Sequence, residues 1–401
     1  MNTDHDVREL LERMASEPAI SPVDPEPILR RAHRRLARTL VLGFACVALL
    51  AGVAIGGANL VLSSPTVPAT PSPTDEGPNG EIAFLGHTAG TVGDLVVVDP
   101  NGGQVRTLVP GCSWYPREPS CPEFPEHIRG ATWSPDGERL AYSLARIGSP
   151  QSDELGIYVI DPGSQTATRI TTCSKPCTEH GEPDWSPDGS RIAFTEYRGG
   201  SGCYQTLGAV EPVPPGSCRI VTIAPDGTDR SVVDTGSIEN PVDPSWSPDG
   251  SRIAFSARTD EGWLVYVTDG DGSEPIALTD DYPSSQPTQP AWSPEGTQIA
   301  FVLFAETCGA GAPTPRNCGG LSSELWTVAP DGSNARFVTD LGCCIGRAEG
   351  DSPGPEWSPD GSRIAVAVSD STTRLLVLNL DGTVVADLGE TWGPPAWQPR
   401  P

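Results

Sequence analysis

The sequence predicts an all-β protein, a six-bladed β-propeller of four-stranded blades, preceded by a single transmembrane helix and a short cytoplasmic helical segment. The first observation is a decamer, WSPDGSRIAF, which occurs at residues 185–194 and again at 246–255. Variants of it begin at Trp133, Trp292 and Trp357. The second observation is the composition: 44 glycines, 43 prolines and only 19% charged residues favour a turn-rich β-protein over a helical one.

The first segment, residues 1–39, is expected to be cytoplasmic. Val7, Leu10, Leu11 and Met14 have helical spacing and predict a short amphipathic helix. This helix ends before a proline-rich run, SEPAISPVDPEP. The segment is a candidate site for a cytoplasmic regulator, with a plain juxtamembrane leader as the alternative.

The second segment, residues 40–62, carries no charge and is long enough, at about 1.5 Å per residue, to cross a bilayer. RRAHRRLAR, just before it, contains five arginines. The positive-inside bias therefore places the N-terminus in the cytoplasm and the rest of the chain outside. A cleaved signal peptide is the alternative. Residues 63–79, rich in Pro, Thr and Ser, are predicted to form an extended linker.

Residues 80–401 contain the repeats. Each unit begins with an IAF-like strand, continues with two further strands and ends with a short strand that finishes in tryptophan. SPDG turns are expected between units and DG turns after the second strand, since both suit positive backbone φ. The half motif at 78–84 complements PAWQP near the other end, which predicts a ring cut within one inter-blade loop. The tryptophans are expected at the blade junctions: Trp133, Trp185, Trp246, Trp292, Trp357 and Trp397.

The WSPDGxxIAF signature resembles that of TolB-like six-bladed propellers and of the propeller domains of prolyl-oligopeptidase-type peptidases. The resemblance covers about residues 80–399 and implies the fold. For TolB-like proteins it also implies protein–protein binding in the cell envelope. The peptidases carry a separate hydrolase domain with a Gly-x-Ser-x-Gly elbow, and no such elbow occurs in this sequence.

Ten cysteines follow the apolar segment, and an even number suits disulfides outside the cytoplasm. They lie only in the longer repeats, in connections that leave the same ends of the strands. The sequence therefore predicts one cysteine-bearing face. Predicted pairs are Cys112–Cys121, Cys173–Cys177, Cys203–Cys218 and Cys308–Cys318, with Cys343–Cys344 as a vicinal pair, unless Cys308, Cys318, Cys343 and Cys344 exchange partners.

The cysteine-bearing face is predicted to be the binding surface, because binding residues concentrate on long loops held by a rigid scaffold. The alternative is that these loops are tolerated decoration held by disulfides. Candidate contact residues on this face are Trp114, Tyr115, His127, His180 and Tyr204.

The motif CSKPCTEH offers Cys173, Cys177 and His180 as zinc ligands, but a disulfide with a neighbouring histidine is favoured. No cofactor, metal site or catalytic group is predicted. Nucleic acid is excluded as a partner by the net charge of −26.

We therefore expect a single-pass protein of the bacterial cytoplasmic membrane whose external propeller binds an envelope protein or a cell-wall polymer. One alternative is a transmembrane signalling protein, similar to an anti-sigma factor, with the propeller as its sensor. The other is a metal-dependent lyase or hydrolase that uses the propeller channel.

Overall fold

The computed structural model describes residues 79–88, 91–111, 126–146, 155–164, 166–198, 214–259, 262–269, 275–279, 285–305, 321–344, 354–369, 373–391 and 393–400. In this part of the chain, 24 strands form six four-stranded antiparallel sheets. The prediction of an all-β, six-bladed propeller is confirmed. No helix among these residues is long and apolar enough to span a membrane. The predicted segments 1–39 and 40–62, and the linker as far as residue 78, lie outside the described residues.

Each sheet is one blade, and the blades follow one another along the chain. Blade 1 contains β1 (Asn79–Thr88), β2 (Thr91–Val98), β3 (Arg106–Val109) and, from the other end of the chain, β24 (Ala396–Pro399). Blade 2 contains β4 (Glu126–Trp133), β5 (Leu140–Arg146), β6 (Gly156–Asp161) and β7 (Thr166–Arg169). Blade 3 contains β8 (Cys177–Trp185), β9 (Ile192–Arg198), β10 (Cys218–Ile223) and β11 (Ser231–Val232).

The remaining three blades repeat this order. Blade 4 contains β12 (Val242–Trp246), β13 (Ile253–Arg258), β14 (Trp263–Thr268) and β15 (Ile276–Ala277). Blade 5 contains β16 (Ser285–Trp292), β17 (Ile299–Ala305), β18 (Leu321–Val328) and β19 (Arg336–Cys344). Blade 6 contains β20 (Glu356–Trp357), β21 (Arg363–Ser369), β22 (Thr373–Asn379) and β23 (Val384–Glu390). The strand of each blade that carries the motif tryptophan is called here the inner strand: β4, β8, β12, β16, β20 and β24.

The core lies between the blades. At the junction of blades 1 and 2, Leu85 of β1 packs with Trp133 and Leu140 of blade 2. Ile82 and Phe84, also on β1, belong to the cluster between blades 6 and 1. Successive residues of β1 therefore face opposite junctions, as the two-residue period of a strand requires. Since both faces of the strand are buried, the IAF runs carry no polar alternation.

One motif tryptophan lies in the apolar cluster at each of the six junctions. Burial of a large apolar side chain stabilises a fold by roughly 1.5–3 kcal/mol. At two junctions the arginine that follows SPDG also stacks on the next tryptophan. The guanidinium of Arg139 lies 5.0 Å from the ring centre of Trp185, and that of Arg252 lies 4.8 Å from the ring centre of Trp292.

The SPDG turn is held by a small set of hydrogen bonds that recurs from blade to blade. In blade 4, the Ser247 hydroxyl donates to Asp249 Oδ1 (2.6 Å) and accepts from the backbone N–H of Arg252 (2.9 Å). Gly250 has a φ of 70°, a conformation that favours glycine. The repeated aspartates thus serve turn geometry, as their repetition indicates.

The structure corrects the predicted position of this turn. β4 ends at Trp133 and pairs with β5, which begins at Leu140, so SPDG joins the first two strands of one blade. The prediction that it links neighbouring blades was wrong, because the strand ending in tryptophan pairs with the strand that follows it. Connections still alternate between the two strand ends. The SPDG and DG turns therefore share one face, called here the turn face, and the other connections share the loop face.

The ring is closed by strands from both ends of the repeat region. Ile82 of β1 pairs with Trp397 of β24, and Ala83 pairs with Ala396. The ring is thus cut between two strands of blade 1, and the predicted cut within an inter-blade loop was wrong. Gln398 reinforces the closure by donating from Nε2 to the carbonyl of Gly137 in blade 2 (2.8 Å).

Candidate functional site

Five of the ten predicted disulfide cysteines fall in the described residues, and all five lie at the loop face. In blade 3, Cys177 and Cys218 begin strands on either side of β9. In blade 5, Cys343 and Cys344 end β19, opposite the start of β18. Cys173 lies just before β8, whereas the other five lie outside the described residues: Cys112, Cys121, Cys203, Cys308 and Cys318.

Cys173 and Cys177 form a disulfide that closes the short loop before β8. Cys218 is also disulfide-bonded, and its partner lies outside the described residues. The pairing of Cys173 with Cys177 is thus confirmed, whereas the predicted pairings Cys112–Cys121, Cys203–Cys218, Cys308–Cys318 and Cys343–Cys344 stay predictions.

His180 lies beside this disulfide and is 1% exposed. Its Nδ1 is 2.8 Å from the Thr171 hydroxyl, and its Nε2 is 3.3 Å from the sulfur of Cys177. Burial lowers the pKa of His180, against the opposing effect of Glu196, so the ring is neutral near pH 7. The two sulfurs and the ring lie close enough for a metal site. However, zinc binds thiolates, and these sulfurs are oxidised to a disulfide.

The buried carboxylate of Glu196 lies at the centre of a charge network next to His180. Glu196 is 5% exposed, and its carboxylate accepts hydrogen bonds from Arg219 Nε (2.8 Å) and from Arg230. Arg198 Nε lies 3.7 Å away. Desolvation alone would raise the pKa of Glu196, but the hydrogen bonds and the arginine charges outweigh it and hold the pKa at about 2. The network fixes β9 to β10 and to the chain beyond β10.

We expect Glu196→Gln to lower the free energy of unfolding by about 2–3 kcal/mol at pH 7, because Arg219 and Arg230 lose the buried carboxylate that is their counter-charge. The folded-state pKa is below the unfolded value, so this stabilisation is full above about pH 4.5 and is lost as the pH falls towards 2. Urea unfolding at pH 7 and pH 3 should therefore show the difference shrinking. Glu81→Gln, which removes an exposed ion pair with Arg106, is the matched control and should change little.

Of the five candidate contact residues, only His127 and His180 fall in the described residues. Trp114, Tyr115 and Tyr204 lie outside the described residues. His127 lies on β4, opposite Ala145, and only its backbone is described. The buried ring of His180 belongs to the interior of blade 3 and offers no surface to a partner.

A second candidate site is the channel at the centre of the ring, which the sequence analysis named for an alternative function without naming any of its residues. All six inner strands converge on a cavity of about 100 Å³. Each contributes the three residues that precede its motif tryptophan. The third residue before the tryptophan forms one layer: Gly130, Glu182, Asp243, Gln289, Gly354 and Pro394. The residue just before it forms the other polar layer: Thr132, Asp184, Ser245, Ala291, Glu356 and Ala396.

In the first of these layers, three neighbouring blades hold polar side chains on unusual backbone. Glu182, Asp243 and Gln289 have φ values of 48°, 54° and 56°, each within an irregularity in the pairing of the inner strand. Residues other than glycine rarely adopt this conformation, which costs about 1–3 kcal/mol. The Glu182 carboxylate accepts a hydrogen bond from the Tyr197 hydroxyl (2.7 Å), and Asp243 Oδ2 accepts from the N–H of Gln289 (3.3 Å).

In the layer just before the motif tryptophans, desolvation is the main cause of the pKa shifts of the two carboxyl groups. It raises the pKa of Asp184 to about 7, against hydrogen bonds donated by the N–H of Trp246 (2.7 Å) and the hydroxyl of Thr132 (3.4 Å). Desolvation, together with the charge of Asp184, raises the pKa of Glu356 well above its usual range. Both side chains are half-buried. Near neutral pH this pair therefore retains a proton.

The signal for the channel was present in the sequence. Alignment of the six repeats on their tryptophans puts acids or amides at the same two offsets in several repeats. The pattern was missed because PDW, DPSW and PEW resemble turn segments until the strand that carries them is known to face the axis.

The fold defines the class: the protein is a six-bladed β-propeller, and it is similar to TolB in fold and in one segment of its sequence. No family model matches the chain. A segment of 76 residues is 38% identical to the Tol-Pal system protein TolB of Alcanivorax borkumensis, and it covers 19% of this chain and 16% of that protein. The chain thus matches only a small part of the length of this curated relative.

Solved structures extend the likeness to the whole propeller. The crystal structure of TolB from Acinetobacter baumannii matches with a TM-score of 0.55 at 20% identity, over 80% of this chain and 67% of that chain. A chain of the nidogen/laminin complex matches with a TM-score of 0.52 at 10% identity, over 79% of this chain and 98% of that chain. At these identities the likeness establishes the fold alone.

Proposed function

We propose that the protein is a binding module that presents its loop face to an envelope protein or a cell-wall polymer. The observation that carries the proposal is the unequal length of the connections at the two faces. At the turn face, short SPDG turns recur, such as residues 247–252. At the loop face, the connections between strands run over residues 199–217 in blade 3 and 306–320 in blade 5. Long loops on a rigid scaffold are where binding residues concentrate.

Two further points support binding. The names of the similar proteins describe a member of the Tol-Pal system and a chain in the nidogen/laminin complex. The Glu196 network and the Cys173–Cys177 disulfide also fix the loop-face edge of blade 3. A rigid edge lowers the entropy lost on binding.

The proposal includes the membrane anchor at residues 40–62, with the propeller outside the cytoplasmic membrane. The uncharged run, the arginines before it and the disulfide support this location, since disulfides persist outside the reducing cytoplasm.

The test uses Lys175, the single lysine of the chain. Its side chain is exposed, in the disulfide loop at the loop face. A membrane-impermeant, amine-reactive crosslinker applied to native membranes that contain the full-length protein should give a crosslinked species through Lys175. The species should disappear in Lys175→Arg.

The matched control moves the amine to the turn face. Thr297 is exposed in the SPEG turn of blade 5, so Lys175→Arg combined with Thr297→Lys keeps one reactive lysine. We expect this variant to be labelled but to capture no partner. Equal capture from the two faces would contradict the loop-face assignment, and failure of the reagent to reach Lys175 in intact cells would contradict the external location.

A further inference from the structure

The wall of the central channel is rich in hydrogen-bond acceptors and poor in donors. Between the two polar layers, proline occupies the second position before the tryptophan in five of the six inner strands: Pro183, Pro244, Pro290, Pro355 and Pro395. Proline has no N–H group, and a strand tolerates it at an edge, which is where each inner strand lies in its blade. The described lining residues include four carboxylates and no lysine, arginine or histidine. Such a wall favours a ligand that donates hydrogen bonds and carries positive charge.

Gln289 independently indicates a missing donor. The residue is 9% exposed, and its Oε1 has no hydrogen-bond partner among the described residues. This oxygen lies beside Gly354, a lining residue of the neighbouring inner strand, 3.5 Å from the position that a Cβ would take there. Because a buried carbonyl oxygen without a donor is costly, the site is incomplete without a ligand or an ordered water.

The carboxylates of the second polar layer also lack a counter-charge. Within the described residues, neither Asp184 nor Glu356 forms an ion pair with a basic side chain. Groups facing Asp184 are the Thr132 hydroxyl, the N–H of Trp246 and the Glu356 carboxyl. Two acids that share a desolvated site repel each other unless a proton or a cation lies between them.

Size and geometry select the kind of cation. A cavity of about 100 Å³ has room for a few waters, at roughly 30 Å³ each, or for one small group. Calcium needs six to eight oxygens at about 2.3–2.6 Å. In the described part of the chain, the one cluster with ligand atoms close enough for a metal is Cys173, Cys177 and His180, and the channel carboxylates form no such cluster. An ammonium group reaches acceptors at greater distance, through three N–H donors.

We propose that the central channel binds a primary ammonium group, carried by a free amine or by a lysine side chain. The ammonium replaces the proton held by Asp184 and Glu356 and donates to the Gln289 oxygen. Binding therefore releases protons and strengthens as the pH rises through 7. The site is formed by the inner strands, so it does not depend on partner binding at the loop face.

The test is isothermal titration calorimetry of the full-length protein with methylammonium chloride at constant ionic strength, at pH 6, 7 and 8. We expect saturable binding that tightens by up to tenfold per pH unit for each proton released. Titration in phosphate and in HEPES, neither of which carries a primary amine, should give different heats, since the released protons are taken up by the buffer. Asp184→Asn and Glu356→Gln should each weaken binding at least tenfold. Asp188→Asn, in an exposed turn, should leave binding unchanged.

Further ligands distinguish a lysine side chain from a free amine, and a primary ammonium from other cations. Acetyl-Gly-Lys-Gly-amide, compared with its Nε-acetylated form, shows whether a lysine side chain enters; binding of methylammonium without the peptide assigns the site to free amines. The proposal is overturned if no saturable binding occurs, if tetramethylammonium binds equally well, or if calcium binds more tightly and displaces methylammonium. The pH dependence and the buffer comparison use the wild-type protein, so they hold even if one variant fails to fold.

Discussion

Removal of residues 394–401 is expected to abolish the cooperative unfolding transition of the propeller. The deletion removes β24, leaves the inner edge of β1 without its partner and takes Trp397 out of the junction between blades 6 and 1. Loss of a buried tryptophan alone costs about 3–5 kcal/mol, a large share of the 5–15 kcal/mol that typically stabilises a folded protein. The ring would also open, which leaves two blade faces without a neighbour.

Two matched variants distinguish the effect of an open ring from the effect of a shorter chain. Deletion of residues 400–401 leaves β24 intact and should unfold at the wild-type denaturant concentration. Trp397→Ala keeps the strand and should lie between the two. Circular dichroism during urea unfolding gives the transitions, and size-exclusion chromatography detects association through the exposed edge of β1. A sharp, wild-type transition in the longer deletion would show that closure contributes little.

The blade count could be predicted from the sequence because each blade repeats one physical solution. The tryptophan fills a junction, Ser and Asp of SPDG hold a turn, and the apolar triplet is buried on both faces. In blade 4 these roles fall to Trp246, Ser247, Asp249 and residues 253–255. Because each residue of the motif has a structural role within its own blade, the motif can be recognised in each repeat. The number of copies then gives the number of blades.

The boundary of the blade could not be predicted in the same way. A repeat fixes a period, but it leaves open which strand begins the sheet. That is decided by hydrogen bonds between strands, such as the pairing of Trp246 with Ile253 across the turn. The division of the two faces was unaffected by this error, because it depends only on the alternation of strand direction.

The residues of the channel and the blade-3 network were missed for different reasons. Asp184 and Glu356 are far apart in sequence, on blades 3 and 6, and only the closed ring brings them to one cavity. His180 was expected at a surface because its neighbours are cysteines of a loop. The register of β8 instead directs its ring towards Phe194 and Glu196. The tertiary structure, rather than the local sequence pattern, therefore makes the channel a candidate site and removes His180 from the candidate contact residues.

Asp184→Asn is expected to stabilise the protein at pH 8 and to have little effect at pH 4. The raised folded-state pKa, about 7 against 3.8 for an ordinary aspartate, means that folding favours the protonated form. The stability that this proton provides is full below about pH 3.8 and is lost as the pH rises through 7. The pKa difference corresponds to up to about 4 kcal/mol. Asparagine is neutral at both pH values and can still accept from the N–H of Trp246.

Urea unfolding of both proteins from pH 4 to pH 8 measures this effect, because the gain should grow steadily and level off above pH 7. Asp249→Asn is the control of opposite sign: hydrogen bonds in its exposed turn lower the pKa of Asp249 to about 2, so that substitution should give no gain at pH 8. Since the charge of Asp184 raises the pKa of Glu356, adding Glu356→Gln to Asp184→Asn should yield less than the sum of the two single gains. An increase in the free energy of unfolding that is the same at pH 4 and pH 8 would mean that the pKa of Asp184 is not raised by folding, and that Asp184 is an ordinary solvated carboxylate.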